Sequence, residues 1–474
     1  MRINKAVTFV IFGATGDVAR KKLFSALYSL FVNSLLPEQF NIVGFSRSEH
    51  ANESFQAIVT SILLKSKSDC DVNSIKKFVG HISYVAGDFA DGSSYEELYR
   101  AVSTIDKING ECASRLIYLA VPPCYYDDIL KQLSISRISS VCNPDGQWTR
   151  ILIEKPFGSN ARVAEQLENT VASLFKDEQI YRIDYYLAKE TIENILAFRF
   201  SNTLFEPAWS NAYIDRVHIS MHEQFGVEKR GTFYDGVGAL RDVGQNHILQ
   251  MLALVTMENP GSIKAESVRA RREDILRALD IGTNGAHALR GQYKGYRQEI
   301  GVDESSDTET YFCATAFVNS DRWKGVPFIL EAGKKLRDTR TDITFYFKRQ
   351  SDYICADDIK RSLPENVVTF RIQPNEAISI RFSAKVPGLT YALEARELTY
   401  MCDSSPFSER LPDTYERILY DCIRGDQTRF PSSKEVAYQW KFISSLKNLM
   451  RVKPLITYTP GVEHPCDAHS SGHF

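Results

Sequence analysis

No stretch of this 474-residue chain approaches the roughly 20 consecutive apolar residues that a membrane-crossing helix requires. There is no long block of one charge sign either. Lys and Arg number 57 against 59 Asp and Glu, a formal net charge of −2, so the broad basic face that nucleic-acid binding demands is missing. Glycine and proline, at 26 and 17 residues, are too sparse for a collagenous or low-complexity chain. The nine cysteines (Cys70, Cys112, Cys124, Cys142, Cys313, Cys355, Cys402, Cys422 and Cys466) are odd in number, scattered, and contain no C-x-x-C pair. That excludes a disulfide scaffold and points to reduced thiols in a cytoplasmic protein. The nine histidines show no HExxH and no His/Cys spacing of the zinc type, so no metal is expected. The start, MRINKAVTFVIFGATGD, sets a basic residue before an apolar run as a secretory signal would. The run ends in Gly-Ala-Thr-Gly-Asp without a cleavage-site context, and it reads as a buried strand.

What is present is ordinary globular material, 43% hydrophobic and 24% charged, long enough for two or three units at about 150 residues per domain. Residues 6–12 form an apolar run of strand length, and residues 20–31 then place Leu23, Leu27, Leu30 and Phe31 at helical spacing. Buried-strand signals recur at 41–45, 82–85, 115–120 and 150–154, with helix-like stretches such as 53–67 and 126–133 between them. Strands without in/out alternation, separated by helices, predict a parallel, doubly wound sheet of Rossmann type. From about residue 212 the texture changes. Alternating strand candidates follow one another at 213–225, 309–319, 342–348, 367–373 and 378–384, with helical stretches at 235–257 and 412–449. The expected architecture is α/β followed by α+β: a dinucleotide-binding unit over 1–183, a larger unit on a mainly antiparallel sheet over 184–458, and a loose tail over 459–474.

Chemistry concentrates in a few places. Gly13-Ala-Thr15-Gly16-Asp17-Val18 lies where the first strand meets the first helix, a turn that needs glycine for tight geometry and close approach to phosphate. It is either a plain strand-to-helix turn or a phosphate loop. Arg20, Lys21 and Lys22 follow in the first helical turns, where cations oppose the helix dipole unless an anion is near. The second strand ends in Ser46-Arg47 where an NAD-binding unit would carry an acid; an arginine there suits a 2′-phosphate, and the alternative is a solvated loop cation. NADP is therefore the expected cofactor. Glu154-Lys155-Pro156 stands at the carboxyl end of a later strand, where the ligand crevice of such a sheet opens, and Lys155 is a candidate cation at the nicotinamide rim. Arg182-Ile-Asp184-Tyr185-Tyr186-Leu-Ala-Lys189 gathers a carboxylate, two phenols and an amine; Arg241-Asp242-Val-Gly-Gln-Asn-His247 sits on a helix with an apolar later face. Oxidising an alcohol by hydride transfer needs a base for the hydroxyl proton, and a histidine oriented by a carboxylate suits it. His247 and Asp184 are the natural pair, although a lone histidine on such a helix also serves as a core residue.

The segments GATGDVARKKL, EKPFG, RIDYYLAKE, FYDGVGALRDVGQNHILQ, RWKGVPFILEAGKKL, FRIQPNE and LPDTYERIL, in that order over nearly the whole chain, resemble the glucose-6-phosphate dehydrogenase family. The resemblance implies NADP-linked oxidation of the anomeric carbon of glucose 6-phosphate to 6-phosphogluconolactone, the first step of the oxidative pentose phosphate pathway. It implies His247 as the base and Asp184 as its orienting partner. Lys155, Tyr186, Lys189, Glu223, Asp242, Lys334 and Gln373 fall on positions that hold the sugar phosphate or the nicotinamide, and a homodimer, or a tetramer, through the antiparallel sheet is implied as well. Two positions depart from the pattern. Tyr185 and Ala188 replace the histidine and glycine of RIDHYLGK, and Thr339 stands where a basic residue is usual, flanked by Arg337 and Arg340. Tyrosine offers one hydrogen bond and no positive charge, so Arg340 is the candidate replacement contact. The alternatives are a related sugar dehydrogenase with altered phosphate recognition and a catalytically silent paralogue.

Overall fold

The computed structural model describes residues 5–66, 71–140, 146–282, 287–349, 365–402 and 411–466. Two compact units result, one of Met1–Ala188, Ile263–Arg269 and Pro412–Ser433, the other of Lys189–Ser262, Ala270–Leu411 and Lys434–Phe474. The first unit thus runs past residue 183 and recruits a segment that a reading in chain order assigns to the second. The cause is apolar: Ile418, Leu419, Cys422, Ile423 and Phe430 belong to the same buried cluster as Phe24, Leu27 and Tyr181.

In the first unit, β1 (Val7–Phe12), β2 (Phe40–Ser46), β3 (Ile82–Ala86), β4 (Ser114–Leu119), β5 (Thr149–Ile153) and β6 (Ile180–Arg182) form one parallel sheet in the order β3-β2-β1-β4-β5-β6. Every residue of β1 and β4 is buried, as a sheet covered by helices on both faces requires. Strand order reverses between β1 and β4, which makes the carboxyl ends of those strands the ligand-binding edge. The expected helices are there, at Asn52–Ser66 and Tyr126–Ile135. Those at Val72–Val79, Gly92–Asn109 and Ala161–Leu174, each capped by an Asp or Asn side chain, complete the covering layers.

The second unit carries β7 (Ile214–His222), β8 (Leu279–Asp280), β9 (Ala288–Tyr293), β10 (Tyr311–Val318), β11 (Phe328–Gly333), β12 (Arg340–Phe347), β13 (Val367–Gln373), β14 (Ala377–Lys385), β15 (Leu393–Met401) and β16 (Leu455–Tyr458). The path is β15-β14-β13-β12-β7-β11-β10-β9-β16, with β8 beside β10. Most pairs are antiparallel; β7 with β11 and β9 with β16 are parallel. The expected helix over 235–257 is interrupted: Gly238 has φ +77°, a wide-turn π segment follows at Leu240–Ile248, and Leu249–Thr256 is α-helical and wholly buried. The 412–449 stretch is likewise two helices, Thr414–Arg424 and Ser433–Arg451, parted at Gly425, φ +81°.

Residues 459–466 are not a loose tail. The Gly461 amide donates to the Lys335 carbonyl at 2.8 Å, the Arg337 amide donates to the Val462 carbonyl at 3.0 Å, and Cys466 is buried. The rest of the expected tail, 467–474, lies outside the described residues. Cys124, Cys313, Cys402, Cys422 and Cys466 are free thiols, whereas Cys112 is disulfide-bonded. Reduced thiols throughout were expected, and linear spacing carries no trace of a pairing that the fold makes. Among the described residues no helix is long and apolar enough to cross a membrane.

Candidate active site

The glycine loop leaves β1 at the reversal point. Gly13 has φ +77°, and a Cβ there would stand 2.4 Å from the Ala120 carbonyl oxygen at the end of β4. Only glycine fits. The Gly16 amide donates to the Gly13 carbonyl at 2.8 Å, closing the turn, and the Thr15 amide donates to the Ser46 hydroxyl at 3.2 Å, tying the loop to the end of β2. The chain then enters a π segment at Ala19–Leu23 before the α-helix Phe24–Val32. A glycine turn of this kind at the end of a parallel strand fits a dinucleotide pyrophosphate.

Around the cradle the predicted cations are differently held. Lys21 is engaged by the exposed Asp17 at 2.9 Å. Lys22 lies over the Tyr415 ring at 6.0 Å. Arg47 is exposed, donates to the Tyr125 hydroxyl at 2.9 Å and sits 5.7 Å from the Phe89 ring centroid. Residues Phe89, Tyr125 and Tyr415 gave no sequence signal, because aromatic rings that frame a cation look like any core residue in one dimension.

Glu154 ends β5 and receives the Tyr118 hydroxyl at 2.6 Å and the Tyr415 hydroxyl at 3.4 Å, while its carbonyl accepts from Tyr126 at 2.8 Å. Burial raises its carboxyl above the usual carboxylate range, against those hydrogen bonds and the Lys155 charge. The Lys155–Pro156 bond is cis, and the Lys155 ammonium lies 5.3 Å from the Tyr185 ring centroid. Asp184 is buried, and its carboxylate accepts the Tyr186 amide at 3.0 Å. Arg182, two residues earlier, is structural, paired with Glu168 at 2.6 Å and Asp177 at 3.0 Å.

In the second unit, Lys189 precedes the helix Glu190–Phe200 as its N-cap. His247 lies on the π segment with its side chain fully buried, and its amide is covered by the Asn246 carboxamide oxygen at 2.7 Å. Gly244 lets that segment close on β10, since a Cβ there would meet the Phe312 ring at 2.9 Å. The half-buried Glu309 receives the Leu240 amide at 3.3 Å and so anchors the segment's start; desolvation raises its carboxyl, while the Arg241 charge lowers it. Both elements that carry the expected chemistry, the turn after Gly16 and the turn bearing His247, adopt the rare π geometry, which recurs at functional sites.

Other predicted residues lie in the same unit. Lys334, buried, pairs with Glu223 and lies 5.1 Å over the Tyr234 ring. Asp242 faces Arg230 at 3.8 Å. Gln373 ends β13 before a cis Pro374. Arg340 is already engaged, with Asp342 at 3.2 Å, Glu463 at 3.3 Å and Asp338 at 3.5 Å. Thr339 accepts the Gln224 amide at 3.0 Å.

A parallel sheet with a glycine cradle at its reversal point, followed by a mixed sheet unit bearing a buried histidine, defines a nicotinamide-nucleotide oxidoreductase. Residues 10–194 match the family model for the glucose-6-phosphate dehydrogenase NAD-binding domain and residues 196–472 match that for its C-terminal domain. The chain belongs to the glucose-6-phosphate dehydrogenase family. It is 38% identical to a glucose-6-phosphate 1-dehydrogenase of Chlamydia pneumoniae over 92% of this chain and 88% of that one. A cytoplasmic Arabidopsis thaliana relative is 35% identical over 98% and 90% of the two chains. Among solved structures, a glucose-6-phosphate dehydrogenase in complex with glucose 6-phosphate superposes with a TM-score of 0.90, at 31% identity and full coverage of both chains. The Mycobacterium avium glucose-6-phosphate 1-dehydrogenase gives 0.83 at 30% identity, covering 97% and 96%.

Proposed function

We propose that this chain oxidises glucose 6-phosphate at its anomeric carbon with NADP, releasing 6-phosphogluconolactone and NADPH. The observation that carries the reading is the co-occurrence, in a chain of this family, of the glycine cradle at Gly13 and Gly16 with a buried His247 on an anchored π turn. NADP, when bound, supplies the hydride acceptor. The chain's own residues do the rest. Gly13, Thr15, Gly16, Asp17 and Val18 form the pyrophosphate loop, Lys22 adds positive charge beside it, and Arg47 meets the 2′-phosphate. Lys155 holds the nicotinamide rim and the sugar. His247 takes the proton of the anomeric hydroxyl as the hydride departs, and Asp184 is the carboxylate that keeps its ring in register. Tyr186, Lys189, Glu223, Asp242, Lys334 and Gln373 hold the sugar phosphate.

A second reading, a sugar dehydrogenase with weaker phosphate recognition, is favoured by one specific set of contacts. Tyr185 brings no charge, Thr339 is committed to the Gln224 amide, and Arg340 must leave three carboxylates to serve an anion. Initial rates of NADPH formation with glucose 6-phosphate and with glucose at equal concentrations separate the two. A strong preference for the phosphorylated sugar supports the first, parity supports the second, and no turnover on either sugar overturns both.

Homodimerisation through the second sheet is supported by the strand that ends it among the described residues. β15 is an exposed strand presenting Leu398 and Tyr400, 62% and 49% accessible, and exposed apolar side chains on a terminal strand invite pairing. Cytoplasmic placement rests on the cytoplasmic relatives and the free thiols, although a chloroplastic relative at 34% identity also exists.

A further inference from the structure

Three histidines far apart in sequence meet on one face of the second sheet. Along β7, His218 and His222 are four residues apart, so the two-residue period of a strand puts both on one face with Ser220 between them. β11 runs parallel to β7 and pairs Glu331 with Ser220, which sets the Glu331 carboxylate on that face between the two imidazoles. The segment after β16 then brings His464 over the same point. Measured to Glu331 Oε2, His218 Nε2 stands at 2.8 Å, His464 Nδ1 at 3.0 Å and His222 Nε2 at 3.5 Å. The donor atoms of His222, Glu331 and His464 all lie within 4.8 Å of one another.

Hydrogen bonding accounts for only part of this arrangement: His218 and His464 are each bonded to the Glu331 carboxylate, and His222 is not. His222 is fully buried, yet neither of its ring nitrogens makes a hydrogen bond. A buried polar group left in that state costs about 1–3 kcal/mol, and a ring has two. Glu331 is also buried, and its second oxygen, Oε1, accepts the Tyr311 hydroxyl at 2.7 Å. His464 Nδ1 also reaches Oε1, at 3.1 Å, so it straddles the carboxylate while His218 and His222 approach Oε2.

We infer that His222, Glu331 and His464 form a binding site for a divalent transition metal, zinc being the best match. The donor set is nitrogen-rich with one carboxylate, which suits zinc and does not suit magnesium or calcium. Zinc bonds of about 2.0–2.2 Å imply a tetrahedral edge of roughly 3.3–3.5 Å; the 3.5 Å separation of His222 from Glu331 Oε2 matches that edge, while His464, at 3.0 Å, stands at hydrogen-bond distance and moves out slightly when a metal replaces the proton. Tyr311 is the outer partner that orients the carboxylate, as metal-bound carboxylates require. With three protein donors and one further position for water, the metal joins strands that are separate in sequence to the segment after β16. It clamps residues 459–466, which otherwise reach the sheet through few backbone bonds, onto β7 and β11.

The spacing rule that excluded zinc from the linear sequence fails here because the ligands come from two adjacent strands and a returning segment rather than from a local loop. The test uses the full-length chain without a purification tag, stripped with a chelator and reloaded with zinc, then analysed for metal content and thermal midpoint. Cobalt substitution supplies a visible absorption signature of tetrahedral nitrogen and oxygen ligation. The expected result is one equivalent per chain, a zinc-dependent rise in midpoint, and loss of both in His464→Gln and His222→Asn; Tyr311→Phe weakens affinity roughly 10–100-fold. His464 is partly exposed, so its variant folds even if that of His222 does not. Retention of no metal after reloading, or unchanged affinity in His464→Gln, overturns the site; the latter would assign the binding to histidines elsewhere.

Discussion

The Arg47 guanidinium donates to the Tyr125 hydroxyl at 2.9 Å and lies 5.0 Å from the centroid of that same ring. An exposed arginine at the end of β2 is thereby fixed in place instead of sweeping through solvent. Its planar fork is presented next to the glycine cradle, the position from which a 2′-phosphate is recognised. Arg47→Ala should weaken NADP binding by roughly ten- to a hundred-fold, the worth of one charge-assisted phosphate contact of about 1.5–3 kcal/mol. NAD binding, measured alongside by fluorescence titration, should hardly change; equal losses for both nucleotides would assign Arg47 to the fold instead.

His247→Asn removes the proposed base while keeping a polar side chain in a buried position. Turnover should fall by about 10²–10⁴, the usual contribution of a positioned general base. NADP affinity should persist. A variant with near-normal turnover would strip His247 of its role.

Tyr185→His restores the residue usual in the family at a position whose ring already faces the Lys155 ammonium at 5.3 Å. If weak phosphate recognition stems from this tyrosine, kcat/KM for glucose 6-phosphate should rise by roughly tenfold or more while that for glucose stays put. The gain should be larger near pH 6 than at pH 8, because only the protonated imidazole adds charge. No change at either pH would mean that the pocket has been compensated elsewhere.

Burial raises the Glu154 carboxyl above its ordinary 4.5, with Tyr118 and Tyr415 hydrogen bonds and the Lys155 charge opposing the shift. A carboxyl raised in this way binds its proton more tightly in the folded chain than in the unfolded one. Its contribution to stability is therefore fully present below pH 4.5 and is lost as pH rises through the folded value. Glu154→Gln removes that dependence. The stability of the wild-type chain relative to this variant, from denaturant melts at pH 4 to 8, should fall as pH rises from about 4.5 and then level off. A difference that is flat across the range would show that Glu154 does not titrate abnormally.

Much of the first unit was legible in the sequence because a covered parallel sheet writes itself as uninterrupted apolar runs: β1, β2, β4 and β5 lie within a residue or two of their expected positions. The second sheet was readable at β7, β10, β12, β13 and β14, where one face alternates. β11 and β16 escaped notice, since each joins a parallel neighbour that comes from far away in the chain. The helix bearing His247 was expected as one element; the left-handed backbone at Gly238 and the Glu309 anchor arise from contacts that periodicity cannot express. Arg340 looked free to bind an anion, because nothing in the linear order sets Asp342, Asp338 and Glu463 around it at once. The same blindness hid His222, Glu331 and His464.

The chain passes from one compact unit to the other five times, at residues 188/189, 262/263, 269/270, 411/412 and 433/434. A ribosome that has released the first 194 residues has therefore delivered all six strands of the nucleotide-binding sheet but not the plug of Ile418, Leu419, Cys422, Ile423 and Phe430 that fills its core. Cutting the gene at the boundary between the two family models would produce a sheet with an open apolar flank. The nucleotide-binding unit is therefore completed only after residues 189–262 and 270–411 of the other unit have been made.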